Sequence, residues 1–309
     1  MLNINKARKY PNLFRRLVGI SPQDFDKLIA TLEKHYMHFQ RKRLSRRERE
    51  RDIGAGAKFK LSLEQRVFMT LFFLRHYTTF ALLGFLFDLH ESNAYRNVEI
   101  MKEFLKEYIP LPNKVKKKKI SSLDELLEEI PHVELLIDGT EQERNRPKDK
   151  EERKTYYSGK KKRHSIKSQI VVERDSGLIV DVSSGWEGSM HDLRIFKETN
   201  LVEKYRGHRV KVWVDSGYEG IEKLVSGWEV NKPKKKPKGR ELRDVDRVRN
   251  KEINKVRVKI EHKIRAMKRY QVFGGRYRGR VKGYEDMVEV IAGLVNMEEM
   301  MRMGMMWDM

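Results

Sequence analysis

Two short runs, Val133 to Ile137 and Val210 to Val214, are almost wholly apolar, and each runs straight into an aspartate, Asp138 and Asp215. A strand with one face in water alternates polar and apolar residues, so runs this apolar are too hydrophobic for a sheet edge. The chain therefore needs a sheet with interior strands, and a carboxylate stands where each of these two emerges. Further β-type runs span His164 to Glu173 and Leu178 to Ser183. A long charged helix from about Glu241 to Tyr270 and a methionine-rich helix follow. Strands first and helices later predict an α/β fold, a mixed sheet with helices packed on it.

The first third of the chain reads differently. Ser21-Pro22 opens a capped helix carrying Phe25, Leu28, Ile29 and Leu32 at helical spacing, which runs into a basic stretch from Gln40 to Arg51. Residues 52–60 read as a loop. Ser62 and Gln65 form a capping-box pattern ahead of Val67, Phe68, Leu71, Phe72 and Leu74. Thr79 caps a short helix with Phe80, Leu83, Gly84 and Phe87 on one face. After the turn Asp88-Leu89-His90, a helix from Glu91 to Tyr108 points Ala94, Val98, Met101 and Leu105 inward. This order predicts an all-α helix-turn-helix domain. Ser92, Asn93, Arg96 and Asn97 avoid the apolar stripe on the turns that would enter a major groove, which makes them candidate base readers; ordinary surface exposure accounts for them equally. The expected organisation is a helical and basic region over 1–60, the helix-turn-helix over 61–109, a basic linker over 110–121 and an α/β domain over 122–309 that opens on a capped helix from Ser122 to Ile130.

Charge narrows the function. Lys and Arg number 67 against 45 Asp and Glu, a net charge of +22, and such an excess suits a polyanionic partner, double-stranded DNA first. No apolar run approaches the ~20 residues of a membrane-spanning helix, and the start lacks a secretory h-region, so a cytoplasmic location is expected. With no cysteine, any metal is held by oxygen or imidazole. Asp138, Asp215 and Glu261 on the long helix could supply hard oxygen ligands for Mg²⁺ or Mn²⁺. Such a site serves phosphodiester transfer, one ion at the attacking oxygen and another at the leaving oxygen. An aspartate closing a strand also serves as a turn or cap residue, so position alone leaves both readings open.

Five segments carry a resemblance. They are Leu136 to Glu141, Tyr157 to Lys162, Gly188 to Asp192, Val214 to Gly220, and the spaced set Asn254, Arg257, Glu261 and Lys268. Together they resemble bacterial and archaeal insertion-sequence transposases, the DDE superfamily endonucleases related to Harbinger elements. Residues from Leu61 to Met101 are similar to the helix-turn-helix that precedes the catalytic domain in relatives, so the likeness covers roughly residues 60–285. It implies an RNase H-like catalytic domain with Asp138 on the first strand, Asp215 on the fourth and Glu261 on a following helix, all three carboxylates intact. Arg257 and Lys268, at −4 and +7 from Glu261, are expected to contact phosphates, as are Lys160, Lys161, Lys162 and His191. His191-Asp192 also reads as a helix cap. The activity implied is that of a DNA transposase, cutting at inverted-repeat ends and joining a 3′-hydroxyl to target DNA, as a nucleoid-associated homo-oligomer. A non-catalytic DNA-binding regulator, or an RNase H-like nuclease without strand transfer, stays open beside it. Met297 to Met306 read as packing or an oligomer contact.

Overall fold

The computed structural model describes residues 2–45, 58–111 and 132–305. From residue 112 onward the expected basic linker lies outside the described residues, as does the helix Ser122 to Ile130; so do residues 46–57 and Met306. The chain forms two compact units. One holds Met1–Ile109, Arg269–Val272 and the segment from Met300; the other holds Pro110–Lys268 and Phe273–Glu299. The domain drawn from the sequence over 122–309 thus contributes two segments to the first unit.

In the first unit six helices follow in order: α1 (Ile4–Arg8), α2 (Pro11–Val18), α3 (Pro22–Leu44), α4 (Leu63–His76), α5 (Phe80–Phe87) and α6 (Glu91–Tyr108). Their starts are set by capping side chains. Ser21 Oγ accepts from the Asp24 amide at 3.1 Å, Thr79 Oγ1 from Leu82 at 3.2 Å, and the Ser62/Gln65 box closes with bonds of 2.9 and 3.2 Å. Phe14, Phe25 and Phe68 meet edge to face at centroid distances of 5.3 to 6.0 Å and anchor the core. The expected inward residues Ala94, Val98, Met101 and Leu105 are all at 0% exposure. Between α5 and α6, Asp88 takes a left-handed φ of 54° and the Leu89 amide donates to Gly84 O at 2.8 Å. A Cβ on Gly84 would stand 2.5 Å from Leu89 O, so only glycine lets the turn close this tightly.

The second unit contains β1 (His132–Glu143), α7 (Lys150–Thr155), β2 (Tyr157–Ser158), β3 (Arg163–Glu173), β4 (Ile179–Glu187), α8 (Asp192–Glu198), α9 (Leu201–Lys204), β5 (Arg209–Trp213), β6 (Glu229–Asn231), α10 (Asp244–Lys268) and α11 (Tyr284–Arg302). β1 is interior. It pairs antiparallel with β3, whose far side takes β4 and the short β2. On its other side β5 runs parallel to β1, and β6 parallel to β5. The two apolar runs are therefore neighbours, which is why neither alternates. α10 turns Ile253, Ile260, Ile264 and Met267 inward, and Asn296 of α11 caps the sheet by bonding both Ile179 N and Ile179 O at 2.8 Å. This mixed sheet with flanking helices is the RNase H-like arrangement expected. Counting the two-residue β2, Asp215 follows the fifth strand; without it, the fourth.

Gly84→Ala should cost about 1–3 kcal/mol, because the new methyl group meets backbone rather than a flexible side chain. Thermal unfolding followed by helical circular dichroism would show a lower midpoint; an unchanged midpoint would mean that the α5–α6 turn does not depend on the missing Cβ.

Candidate active site

The parallel ladder between β1 and β5 fixes the centre of the site. Its last pair is Leu136 with Trp213; Asp138 lies two residues further along β1 and Asp215 two residues past the end of β5, near enough for the charge on Asp215 to act on Asp138. Backbone amides aim both carboxylates: Gly139 N donates to Asp138 Oδ1 at 2.9 Å inside β1, which runs on past Asp138 rather than emerging there, and Gly217 N donates to Asp215 Oδ1 at 2.7 Å in the turn after β5. Arg257, buried on α10, donates from Nη2 to Asp138 Oδ2 at 3.1 Å.

A third carboxylate lies near both, and it is Asp192, the first residue of α8. Lys167 Nζ donates to Asp192 Oδ1 at 3.1 Å and to Met190 O at 2.6 Å. A Cβ on Gly139 would stand 3.1 Å from Asp192 Oδ1, and one on Gly217 would stand 3.2 Å from Asp192 Oδ2. The carboxylate of Asp192 thus lies close to both Gly139 and Gly217, although at Gly217 the nearest atom to such a Cβ is Asp215 Oδ1, at 2.9 Å. Gly188 plays a matching part: a Cβ there would sit 2.6 Å from Tyr156 O, so its absence lets the Gly188 to Asp192 segment lie against the β2–β3 region. The sequence reading took Asp192 with His191 as a possible cap. Lys167, a cation in β3 set between the buried Ile166 and Ser168, is the available signal that something acidic faces it.

Burial of these charges has a measurable effect. Burial pushes the Asp138 carboxyl up to about 6, and the charges on Asp215 and Asp192 push the same way, while Arg257 and the Gly139 amide oppose them. Tyr218, fully buried beside these aspartates, donates to Gln169 Oε1 at 3.2 Å, and its hydroxyl is held well above its ordinary value by burial first and by the three aspartates next. Lys268 is half-buried, and its ammonium is lowered by burial and by Lys161, with Glu141 and Asp138 raising it. That brings Lys268 and Lys161 toward the acidic centre. Lys160, Lys161 and Lys162 are exposed on the turn before β3, where Lys162 takes a φ of 54°. His191 is the exposed N-cap residue of α8, without a side-chain capping bond.

Glu261 stands apart. It is exposed on α10, one turn beyond Arg257, and no hydrogen bond or ion pair ties it to either aspartate. Among the described residues no three acidic or imidazole side chains are close enough together to hold a metal ion.

A family model described as DDE superfamily endonuclease matches residues 137–296, just over half of the 309-residue chain. The chain belongs to the DDE superfamily endonucleases. A second model, the helix-turn-helix of DDE superfamily endonuclease, matches residues 59–110. The endonuclease is similar to the probable transposase for insertion sequence element IS702 of Microchaete diplosiphon, 29% identical over 300 residues, covering 96% of this chain and 98% of that protein. It is also similar to the putative transposase for insertion sequence element IS112 of Streptomyces albus G, 24% identical over 263 residues, with 85% and 86% covered. The cryo-EM structure of the piggyBac transposase synaptic complex with hairpin DNA shares 11% identity at a TM-score of 0.43, covering 97% of this chain and 78% of that one.

In the helix-turn-helix of this endonuclease, the candidate base readers part company. Asn93 and Arg96 are exposed on α6, with Arg96 Nη1 donating to Asn93 Oδ1 at 3.0 Å, and Tyr95 is exposed between them. Ser92 is half-buried and its hydroxyl meets His90 Nδ1 at 2.6 Å. Asn97 corrects the expectation: it is 8% exposed, accepts from Arg66 Nε at 2.6 Å and donates to Asn93 O at 2.8 Å. Both ends of its amide are committed inside the bundle, so it has nothing left for a base. Arg66, fully buried on α4, also donates to Tyr36 OH at 2.6 Å, and a buried guanidinium needs such acceptors. No helix among the described residues is long and apolar enough to cross a membrane.

The raised Asp138 value gives a stability prediction with a definite sign. The folded state favours the protonated carboxyl, so the metal-free protein loses stability as pH rises from the ordinary carboxyl value of 3.8 through about 6. Asp138→Asn should therefore raise the melting temperature in chelator at pH 7.5, by up to about 3 kcal/mol in stability, and gain little near pH 4. A variant less stable than the parent at pH 7.5 would contradict this account of Asp138.

Proposed function

We propose that this endonuclease is a DNA transposase whose Asp138 and Asp215, joined by Glu261, hold divalent metal for strand cleavage and strand transfer. The observation that carries the reading is the parallel pairing of β1 and β5, which brings Asp138 and Asp215 near each other in a pocket buried enough to lift Asp138 to about 6. A cation stabilises the charged carboxylates there, and the donors are hard oxygens, which fits Mg²⁺ or Mn²⁺. Bound there, the metal supplies Lewis-acid stabilisation of the oxygens that enter and leave the phosphorus.

The chain's own residues do the rest. Asp138 and Asp215 are oriented by the Gly139 and Gly217 amides, which leaves Asp138 Oδ2, now held by Arg257, and Asp215 Oδ2 as the oxygens to offer a cation. Arg257 neutralises Asp138 in the free protein, and Lys268 with the Lys160 to Lys162 turn offers positive charge for the phosphates on either side of the scissile bond. Glu261, a turn along α10 from Arg257, would supply the third carboxylate of the set. Lys167 holds Asp192 as a brace beside Gly139 and Gly217. Asn93 and Arg96 read bases in the major groove, double-stranded DNA being the substrate, and uniting two element ends calls for two protomers.

Cleavage of duplexes carrying the DNA that flanks the coding sequence tests this. The parent should cut in Mg²⁺ and join the freed 3′-hydroxyl to a second duplex; Asp138→Ala, Asp215→Ala and Glu261→Ala should lose cutting. Variants that cut as well as the parent would remove the site assignment, and cutting without joined product would leave a nuclease. Asp192→Ala should weaken Mn²⁺ binding about 10- to 100-fold while the protein stays folded, the usual penalty for losing a residue that orients metal ligands; unchanged affinity would remove its role as a brace.

A further inference from the structure

The loop from Lys232 to Arg243 links β6 to α10 and carries seven Lys or Arg against one Glu. Most of those cations are already used inside the protein. Lys232 Nζ meets Glu219 at 3.2 Å and Glu222 at 3.0 Å; Lys234 and Arg243 share Asp246, each at 3.0 Å; Lys236 pairs with Glu241. Exposed pairs of this kind are individually weak. The backbone adds a firmer hold, since Asn250 accepts from Lys234 N and donates to Lys234 O, both at 2.9 Å. Pro233 and Pro237 fix φ on either side of the lysines, and Gly239 at φ +75° turns the tip, where Arg240 N donates to Pro237 O at 3.3 Å. Two cations remain at that tip. Lys238 and Arg240 are exposed and have no side-chain partner among the described residues.

Position gives these charges a purpose. β6 is parallel to β5, Trp213 pairs with Asn231, and Val214 N donates to Asn231 O at 3.1 Å, so the loop leaves the sheet at the same end as Asp215. Glu219 and Glu222, which hold Lys232, lie on the segment that follows Asp215 directly. We propose that the 232–243 loop is a preorganised arm that grips the sugar-phosphate backbone of duplex DNA beside the Asp138/Asp215 site, with Lys238 and Arg240 as its phosphate contacts. The proposal rests on the DNA-cutting reading above. The internal pairs and the Asn250 bonds order the loop in advance, so the two tip cations meet phosphate with less ordering left to lose.

The test is the salt dependence of binding of the full chain to a mixed-sequence 30-base-pair duplex. Each lost phosphate contact lowers the slope of log K against log salt by about 0.9, so the double variant Lys238→Ala/Arg240→Ala should lower it by roughly 2. Arg206→Ala, a 78%-exposed cation at the opposite end of β5, should leave it unchanged. A parent with a steep slope and a double variant with the same slope overturns the arm. A parent whose binding is insensitive to salt overturns the DNA reading as well. The chain has no cysteine, so Lys238→Cys and Arg206→Cys each carry a single photo-crosslinker; adducts with DNA should favour position 238, and equal yields would also overturn the proposal.

Discussion

The parallel pairing of β1 with β5 is the constraint on which the rest of the structure depends. Its register brings Asp138 and Asp215 near each other, and both strands must be buried on both faces to hold that register. The burial that secures the geometry also strips water from Asp138 and lifts its carboxyl to about 6. Structural order and electrostatic discomfort thus come from one source. A slip of one residue would turn Asp138 to the other face of the sheet.

Around that pairing, the site is built by close approach. A Cβ at Gly139 would press on Asp192, and one at Gly217 would press on Asp215 first and on Asp192 next; Lys167 holds Asp192 in place. Arg257 balances Asp138 from α10. The outcome is a pocket with more negative than locally paired positive charge, costly in the free protein and suited to a cation. The helical unit holds the inverse case: Arg66 is a buried cation whose Nε and Nη1 are met by Asn97 and Tyr36, neutral acceptors from α6 and α3.

Local sequence carried much of this. The apolar runs gave β1 and β5, the capping residues gave the starts of α3, α4 and α5, and the spacing of Ala94, Val98 and Met101 gave α6 to its observed ends. What escaped was decided at long range. β6 is three residues long and is a strand only because β5 lies beside it. Asn97 looks like a surface residue on its own helix and is buried because Arg66, 31 positions earlier, needs an acceptor. Asp192 looks like a cap until Lys167, 25 positions away, is placed against it. Glu261 was legible through the resemblance alone, and its exposed position on α10 offers no contact that local pattern could have read.

Crystals of the full chain grown with Mn²⁺ and measured at the manganese absorption edge address the central claim most directly. The account predicts one anomalous peak within about 2.0–2.3 Å of oxygens from both Asp138 and Asp215, with Arg257 drawn away from Asp138 Oδ2. Manganese bound elsewhere, with the Arg257 contact intact and no peak between the two aspartates, would contradict it.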